Sequence, residues 1–270
     1  MSILRKIAER LARRKIIKRY PVVAGKRIPV YVSPDAQLKY LKPGKSSYDQ
    51  DLICIAEKYI SEGSNVWDIG ANVGMFTFAA ASMAGHGTVL AVEADTWLAN
   101  ILRRSAGLKE YANKKICILP VAVSESVGVA SFMIAARGRA SNALESAGGC
   151  SQMGGVRETQ YVPTVSLDTL LDYFPAPDFV KVDVEGAELM VARGAHIVIR
   201  KTRPVFYIEV AQQSSAEMLK IFRSADYVAL GTKLDVLDKK CDANTYFVPS
   251  EKMDRFDQGR IRPESDHSLS

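Results

Sequence analysis

At 270 residues, 47% hydrophobic and 24% charged, the chain has the composition of an ordinary globular protein with a sizeable core. No run approaches the roughly 20 apolar residues of a membrane span, which excludes an integral helical membrane protein. The net charge of +6 is concentrated in the first 20 residues, where eight Lys and Arg face one Glu; the other 250 residues balance to −1. The basic character is therefore no argument for a nucleic-acid-binding body, and no nucleic-acid partner is expected.

In chain order, residues 1–47 read as a basic leader. Ile3, Leu4, Ile7, Ala8 and Leu11 share one helical face, with Lys and Arg mostly elsewhere. Such a helix can lie on an anionic membrane through residues 1–19, or pack on its own domain. Glu9 and the scarcity of Ser count against an organelle-targeting segment, and no apolar signal core or cleavage site is visible. Cys54, Cys117, Cys150 and Cys241 are far apart, with no CxxC pair and no zinc-finger spacing. The expected compartment is the reducing cytoplasm, with peripheral contact at the inner face of a membrane as an option.

Residues 48–250 alternate apolar strands with helical stretches, which predicts one domain. "NVWDIG", "TVLAVEAD", "KICILPVAVS", "DFVKVDVEG" and "RPVFYIEV" read as buried strands, and "MFTFAAASMAG" and "TWLANILRRSAGL" as amphipathic helices between the first three. This repetition implies βαβ units: an α/β fold whose mostly parallel sheet carries helices on both faces. "DYVALG" and "NTYFVPS" are expected as an antiparallel edge hairpin. Residues 135–160 break the pattern with Gly, Ala and Ser, and read as an active-site lid or a disordered loop. From Glu251 to Ser270 a polar, frayed tail is expected.

The chemistry starts at "VWDIGANVG". A dinucleotide fold wants GxGxxG after its first strand, where a pyrophosphate meets the helix N-terminus. Here Asp68, Gly70, Ala71, Asn72 and Gly74 stand instead. An acid at the strand end repels phosphate and suits a cationic ligand, while the glycines let the backbone approach it. Glu93 ends the next strand 25 residues on, where an acid accepts hydrogen bonds from ribose hydroxyls. A positively charged nucleoside without phosphates fits both, and S-adenosylmethionine is such a molecule. Its adenine would lie near Ala94, Asp95 and the segment from Val121 and Ala122 to Ser124.

A third cluster, Asp183, Glu185 and Glu188, crowds the end of the fourth strand, and Glu209 ends the fifth. In an open α/β sheet these ends share one crevice. Transfer of a methyl group to a hydroxyl requires the oxygen to lose a proton. None of His86, His196 and His267 sits at a strand end, so Asp183 first and Glu209 second are the candidate bases. Helix capping by Asp183 and Glu188 is the plainer alternative. A divalent cation held by these carboxylates is conceivable, but no metal is assigned.

These motifs, "VWDIGANVGMFTF", "VEAD", "PVAVSESVG", "VPTVSLDTLL" and "FVKVDVEGAELMVARGA", resemble those of FkbM-type S-adenosylmethionine-dependent methyltransferases over roughly residues 48–212. The resemblance implies a Rossmann-like class I methyltransferase fold and O-methylation of a sugar or glycan hydroxyl, or of a polyketide or other small molecule. By the same resemblance Asp68, Gly70, Asn72, Gly74 and Glu93 bind the cofactor, and Asp183 and Glu185 belong to the "D-x-E-G" signature near the reaction centre. Ser141 and Asn142 in "RASNAL", and Tyr48 in "SSYDQD", would line the acceptor site, with Glu188 beside them. Asp49 stands where the family usually has Glu, and "EADTWLAN" lacks the usual Pro after the ribose acid.

Other classes remain open at this point. A nicotinamide oxidoreductase would need the missing GxGxxG. A non-catalytic, membrane-associated nucleoside-binding module would keep the fold. A base-methylating enzyme would need an Asn/Asp-Pro-Pro-aromatic turn where "DVEG" stands. Oligomeric state is not encoded in any of these motifs.

Overall fold

The computed structural model describes residues 13–42, 44, 48–147 and 153–259. The amphipathic face from Ile3 to Leu11, and Cys150, lie outside the described residues. Seven strands form the central sheet: β1 (Val66–Ile69), β2 (Thr88–Val92), β3 (Lys115–Leu119), β4 (Phe179–Val182), β5 (Val205–Glu209), β6 (Tyr227–Leu230) and β7 (Asn244–Pro249). Their order is β3-β2-β1-β4-β5-β7-β6. The β3-β2-β1-β4-β5 pairings are parallel; β7 alone runs against its neighbours and pairs antiparallel with β5 and β6. This is the expected α/β, Rossmann-like architecture with its antiparallel edge hairpin, the strand order of class I methyltransferases.

Burial explains the strand sequences. β1 and β4 are covered on both faces, so they read as continuous apolar runs rather than alternating ones. Val66, Val89, Phe179 and Val205 pack on one face against α1 (Gln50–Tyr59), α2 (Met75–Met83) and α3 (Thr96–Ala106). Trp67, Leu90, Val180 and Phe206 pack on the other against α4 (Leu167–Leu170), α5 (Glu188–Arg193) and α6 (Ser215–Arg223). The period of 2 thus assigns each strand residue to a face. Two expectations need correcting. Met75 through Ala81 are all buried, so α2 is not amphipathic but enclosed. β3 is only half-buried because it is the sheet's edge.

Residues 135–160 differ more. Gly128–Ala135 pairs antiparallel with Val156–Val165, Ala143–Leu144 adds to the far edge, and Ala122–Val123 pairs in parallel with Thr164–Val165. A four-stranded sheet therefore takes in part of the stretch expected as a lid or a disordered loop: Ala135, Ala143–Leu144 and residues 156–160 are strand there, and residues 148–152 are not described. Phe132, Ile134, Leu144 and Val162 form its small core. The Gly/Ala/Ser composition hid this sheet, because inward-facing apolar residues are confined to parts of each strand.

Both flanks of the expected 48–250 domain also pack onto it. Ile17–Arg19 pairs with Val30–Val32. Val23, Val30, Val32 and Tyr40 join the α1–α3 core, while the Tyr111 hydroxyl donates to Pro29 O at 3.0 Å. After Glu251, where a frayed tail was expected, α7 (Met253–Asp257) buries Phe256 completely. Its ring stacks on Tyr59 at 4.3 Å.

Candidate functional site

The carboxyl ends of β1, β2, β4 and β5 open on a cavity of about 300 Å³. Its walls include Gly70 and Asn72 from the β1 turn, Glu93 and Ala94 after β2, and Val121 and Ala122. Asp183, Glu185, Tyr207 and Glu209 form the opposite wall. Three stretches that sequence reasoning did not combine complete the lining: Gln37, then Asp49 and Asp51, then Arg139, Ala140, Asn142 and Leu144.

The β1 turn is shaped by close approach. Gly70 has φ +78°, and a Cβ there would sit 1.8 Å from the Asp183 carbonyl oxygen, so no side chain fits. Gly74, at φ +86°, precedes α2, and a Cβ would meet Leu102 and Phe78 at 2.5 and 2.6 Å. Asn72 also takes a left-handed conformation, φ 52°, and donates its N–H to Glu93 Oε2 at 2.7 Å. Ala71 is buried behind the turn.

Asp68 does not face the cavity. It is fully buried, accepts from Thr77 Oγ1 at 2.6 Å, and has Lys181 Nζ 3.2 Å from Oδ1. The expectation that Asp68 meets a ligand's positive charge therefore changes: its cationic neighbour is Lys181. Register dictates this pair, because Lys181 lies directly opposite Asp68 across β4 and β1 and both point to the same face. Lys181 also donates to Gly70 O at 2.9 Å and lies 3.4 Å from Asp183 Oδ2. Burial alone would lower the lysine's pKa, but Asp68 and Asp183 together drive it upward, so the ammonium stays charged. One buried cation thus ties the β1 turn to the β4 end. The signal was a Lys inside the apolar run "FVKV".

The acids on the far wall divide by role. Asp183 and Glu209 line the same wall of the cavity. Glu209 opens toward the mouth of the crevice, yet loss of hydration within it, reinforced by Asp183, pushes its carboxyl up to about 8. Glu185 lines the same cavity in a left-handed conformation, φ 51°. Glu188, expected to contact the acceptor, is buried instead and accepts from Gly186 N at 2.9 Å and Val184 N at 3.4 Å. It braces the turn that presents Asp183 and Glu185.

Asp95 likewise turns away from the cavity. Its Oδ1 accepts from Trp97 N and Leu98 N, capping α3, while Oδ2 accepts from Asn142 Nδ2 at 2.8 Å and from Arg139. Arg139, 5% exposed, also reaches Asp35 Oδ2 at 3.3 Å and lies over the Trp97 ring at 4.8 Å. Arg157 meets the other Asp35 oxygen at 3.1 Å. Asp95 therefore anchors the inserted sheet rather than adenine. Asn142 lines the cavity; Ser141 does not, and Tyr48 lines a separate hollow.

Residues 68–229 match the family model described as the methyltransferase FkbM domain. The chain belongs to the FkbM methyltransferase family. No curated protein sequence matches it. Among solved structures, the FkbM methyltransferase from Methylobacillus flagellatus KT aligns at 18% identity, covering 70% of this chain and 44% of its own, with a TM-score of 0.43. The chain thus spans less than half of that protein. A SAM-dependent O-methyltransferase from Thermotoga maritima aligns at 13% identity over 85% of this chain and 76% of its own, TM-score 0.44. The T. thermophilus 16S rRNA methyltransferase RsmC, solved with AdoMet and guanosine, aligns at 14% identity over 87% and 50%, TM-score 0.47.

The cofactor of the FkbM family is S-adenosylmethionine, and the donor set of this cavity fits it. Glu93 is 7% exposed; it accepts from Asn72 N and from Asp95 N at 2.8 Å, and each oxygen keeps a lone pair for a ribose hydroxyl. Burial raises its carboxyl to about 7, against the lowering effect of those two N–H groups. Asn72 Oδ1 is buried with no partner, an acceptor waiting for a donor. Glu93 and Asn72 would hold the cofactor in this FkbM domain. Among the described residues there is no cluster of metal-ligating side chains, and no helix long and apolar enough to cross a membrane.

Proposed function

We propose that the protein transfers a methyl group from S-adenosylmethionine to a hydroxyl oxygen of a sugar or glycan. The observation that carries this reading is the placement of two carboxyls, Asp183 and Glu209, on the wall of one crevice, with the Lys181 ammonium 3.4 Å from Asp183 Oδ2. Bound S-adenosylmethionine supplies an electrophilic methyl group on a sulfonium. A hydroxyl oxygen attacking that carbon in line must lose its proton as the carbon–sulfur electron pair departs with sulfur. Asp183, held by the Lys181 ammonium, takes that proton, and Glu209 shares it. Glu93 orients the ribose, and Asn72 Oδ1 accepts from a donor on the cofactor. No described histidine lines the cavity; His86 pairs with Glu62 at the surface and His196 is exposed.

The wall formed by Asp49, Asp51 and Glu185 supplies many hydrogen-bond acceptors, which suits a hydroxyl-rich acceptor. Phe132 and Leu144 add an apolar strip that favours, as a second reading, a polyketide or other small-molecule alcohol.

Incubation with methyl-deuterated S-adenosylmethionine and a panel of sugars, glycans and non-sugar alcohols tests this, with mass spectrometry locating the label. Label on a sugar oxygen is expected; label only on nitrogen, on carbon or on non-sugar alcohols would overturn the reading. Asp183→Asn should lower kcat by about 100-fold or more while leaving S-adenosylhomocysteine affinity within a few-fold. Because Glu209 gives up its proton as pH rises through about 8, the wild-type rate should climb there, and Glu209→Gln should flatten that limb.

A further inference from the structure

Beside the crevice lies a second hollow of about 380 Å³, lined by Lys18, Arg19, Arg27 and Lys42 with Tyr20 and Tyr48. Among the described residues no carboxylate lines it, and none of its four cations forms an ion pair with one. Glu57, the acid that touches the neighbouring hairpin turn, accepts from Ala24 N at 2.6 Å instead.

The cations are held in place without being neutralised. Arg19 donates twice to the Tyr40 carbonyl, at 3.1 and 2.8 Å, which fixes its guanidinium but leaves its charge. Arg27 and Lys18 lie 5.5 and 5.6 Å from the Tyr20 ring centre, and Lys18 lies 5.8 Å from that of Tyr31. Four like charges around one concavity repel each other unless an anion joins them, and guanidinium groups suit phosphate oxygens in particular.

The position ties the hollow to the reaction crevice. Tyr48 lines the hollow, whereas its chain neighbour Asp49 lines the crevice. Likewise Lys42 faces the hollow, while Lys39 of the same turn pairs with Asp49. Consecutive residues thus line a cationic concavity and a cavity edged by Asp49, Asp51, Asp183, Glu185 and Glu209. Those acids repel phosphate and accept hydrogen bonds from hydroxyls. A molecule with both groups is thereby oriented hydroxyl inward and phosphate outward. We infer that the basic hollow is a subsite for a phosphate group of the methyl acceptor, which makes the acceptor a phosphorylated hydroxyl compound. This rests on the methyltransferase reading above.

The test is calorimetric titration of the full chain with inorganic pyrophosphate and, separately, with S-adenosylhomocysteine, in wild type and in the double variant Lys18→Gln/Arg27→Gln. Arg27 is exposed and Lys18 half-buried, and neither belongs to the hydrophobic core. The expected result is pyrophosphate binding by the wild type that weakens about tenfold or more in the variant, with S-adenosylhomocysteine affinity unchanged. With paired probe acceptors, methyl transfer should favour a hexose phosphate over the free hexose, and the variant should lose that preference. Absence of pyrophosphate binding in the wild type, equal binding in both proteins, or no preference between the paired acceptors would overturn the proposal. So would co-sedimentation with phosphatidylglycerol vesicles that the variant loses while pyrophosphate fails to bind, which would assign the hollow to a lipid surface. Failure of the wild type to bind S-adenosylhomocysteine would overturn the underlying methyltransferase reading, a failure visible apart from the pyrophosphate result.

Discussion

The two sides of the crevice are built on different principles. The cofactor side is made of strand ends and backbone: Gly70, Asn72 and Glu93 are set by the register of β1, β2 and β4, and Lys181 locks that register to Asp68. The other side, where we propose that the acceptor sits, is assembled from segments far apart in the chain. Asp35, Asp95, Arg139 and Arg157 join the N-terminal segment, the start of α3 and the inserted sheet through buried ion pairs. Sheet register holds the first side, and side-chain charge holds the second. Substitutions on the two sides should therefore fail in different ways.

The largest expected effect is on the cofactor side. Lys181→Met leaves Asp68 buried with no cation, and should cost about 3–5 kcal/mol of stability, read by denaturant unfolding. Adding Asp68→Leu should recover much of that loss, because the uncompensated buried charge is then gone. A single variant as stable as wild type would show that register alone holds this side. A smaller effect is expected on the acceptor side. Arg139→Met removes charged hydrogen bonds to Asp95 and Asp35, both of which keep other donors. It should cost about 1.5–3 kcal/mol, raise hydrogen exchange across residues 139–147, and raise the acceptor KM while cofactor affinity holds. Equal loss of cofactor affinity would mean that the two sides are one cooperative unit.

This difference also decides what could be read in the sequence. "VWDIGANVG", the acid 25 residues on, and "DVEG" announce the mostly parallel sheet and the cofactor crevice, because local pattern and register produce them. The roles of Asp68 and Asp95 were misread for one reason: an acid at a strand or helix end looks the same whether it meets a ligand, a lysine or its own helix. Lys181 carries no signal of its role in the local pattern because Asp68 and Gly70, which it ties to Asp183, lie across the sheet and more than 100 residues away. Within 135–160 the small-residue composition carries no period, and the strands Ala143–Leu144 and 156–160 exist there because their pairing partners, Phe132 to Ala135, lie at or before its start. Asp35 gave no signal at all; its role exists only once Arg139 and Arg157 arrive from more than 100 residues away.

The most direct test of the central claim, that Glu93 and the β1 turn hold a nucleoside cofactor, is titration with S-adenosylhomocysteine by calorimetry at two pH values, in wild type and Glu93→Ala. Burial holds the free Glu93 carboxyl at about 7, and ribose hydroxyls donate best to its ionised form. Affinity should therefore rise with pH, by about tenfold between pH ~6 and pH ~8. The variant should bind about tenfold to a hundredfold more weakly and lose that pH dependence. Wild-type protein that does not bind, or a variant that binds as tightly as wild type at both pH values, would contradict the account.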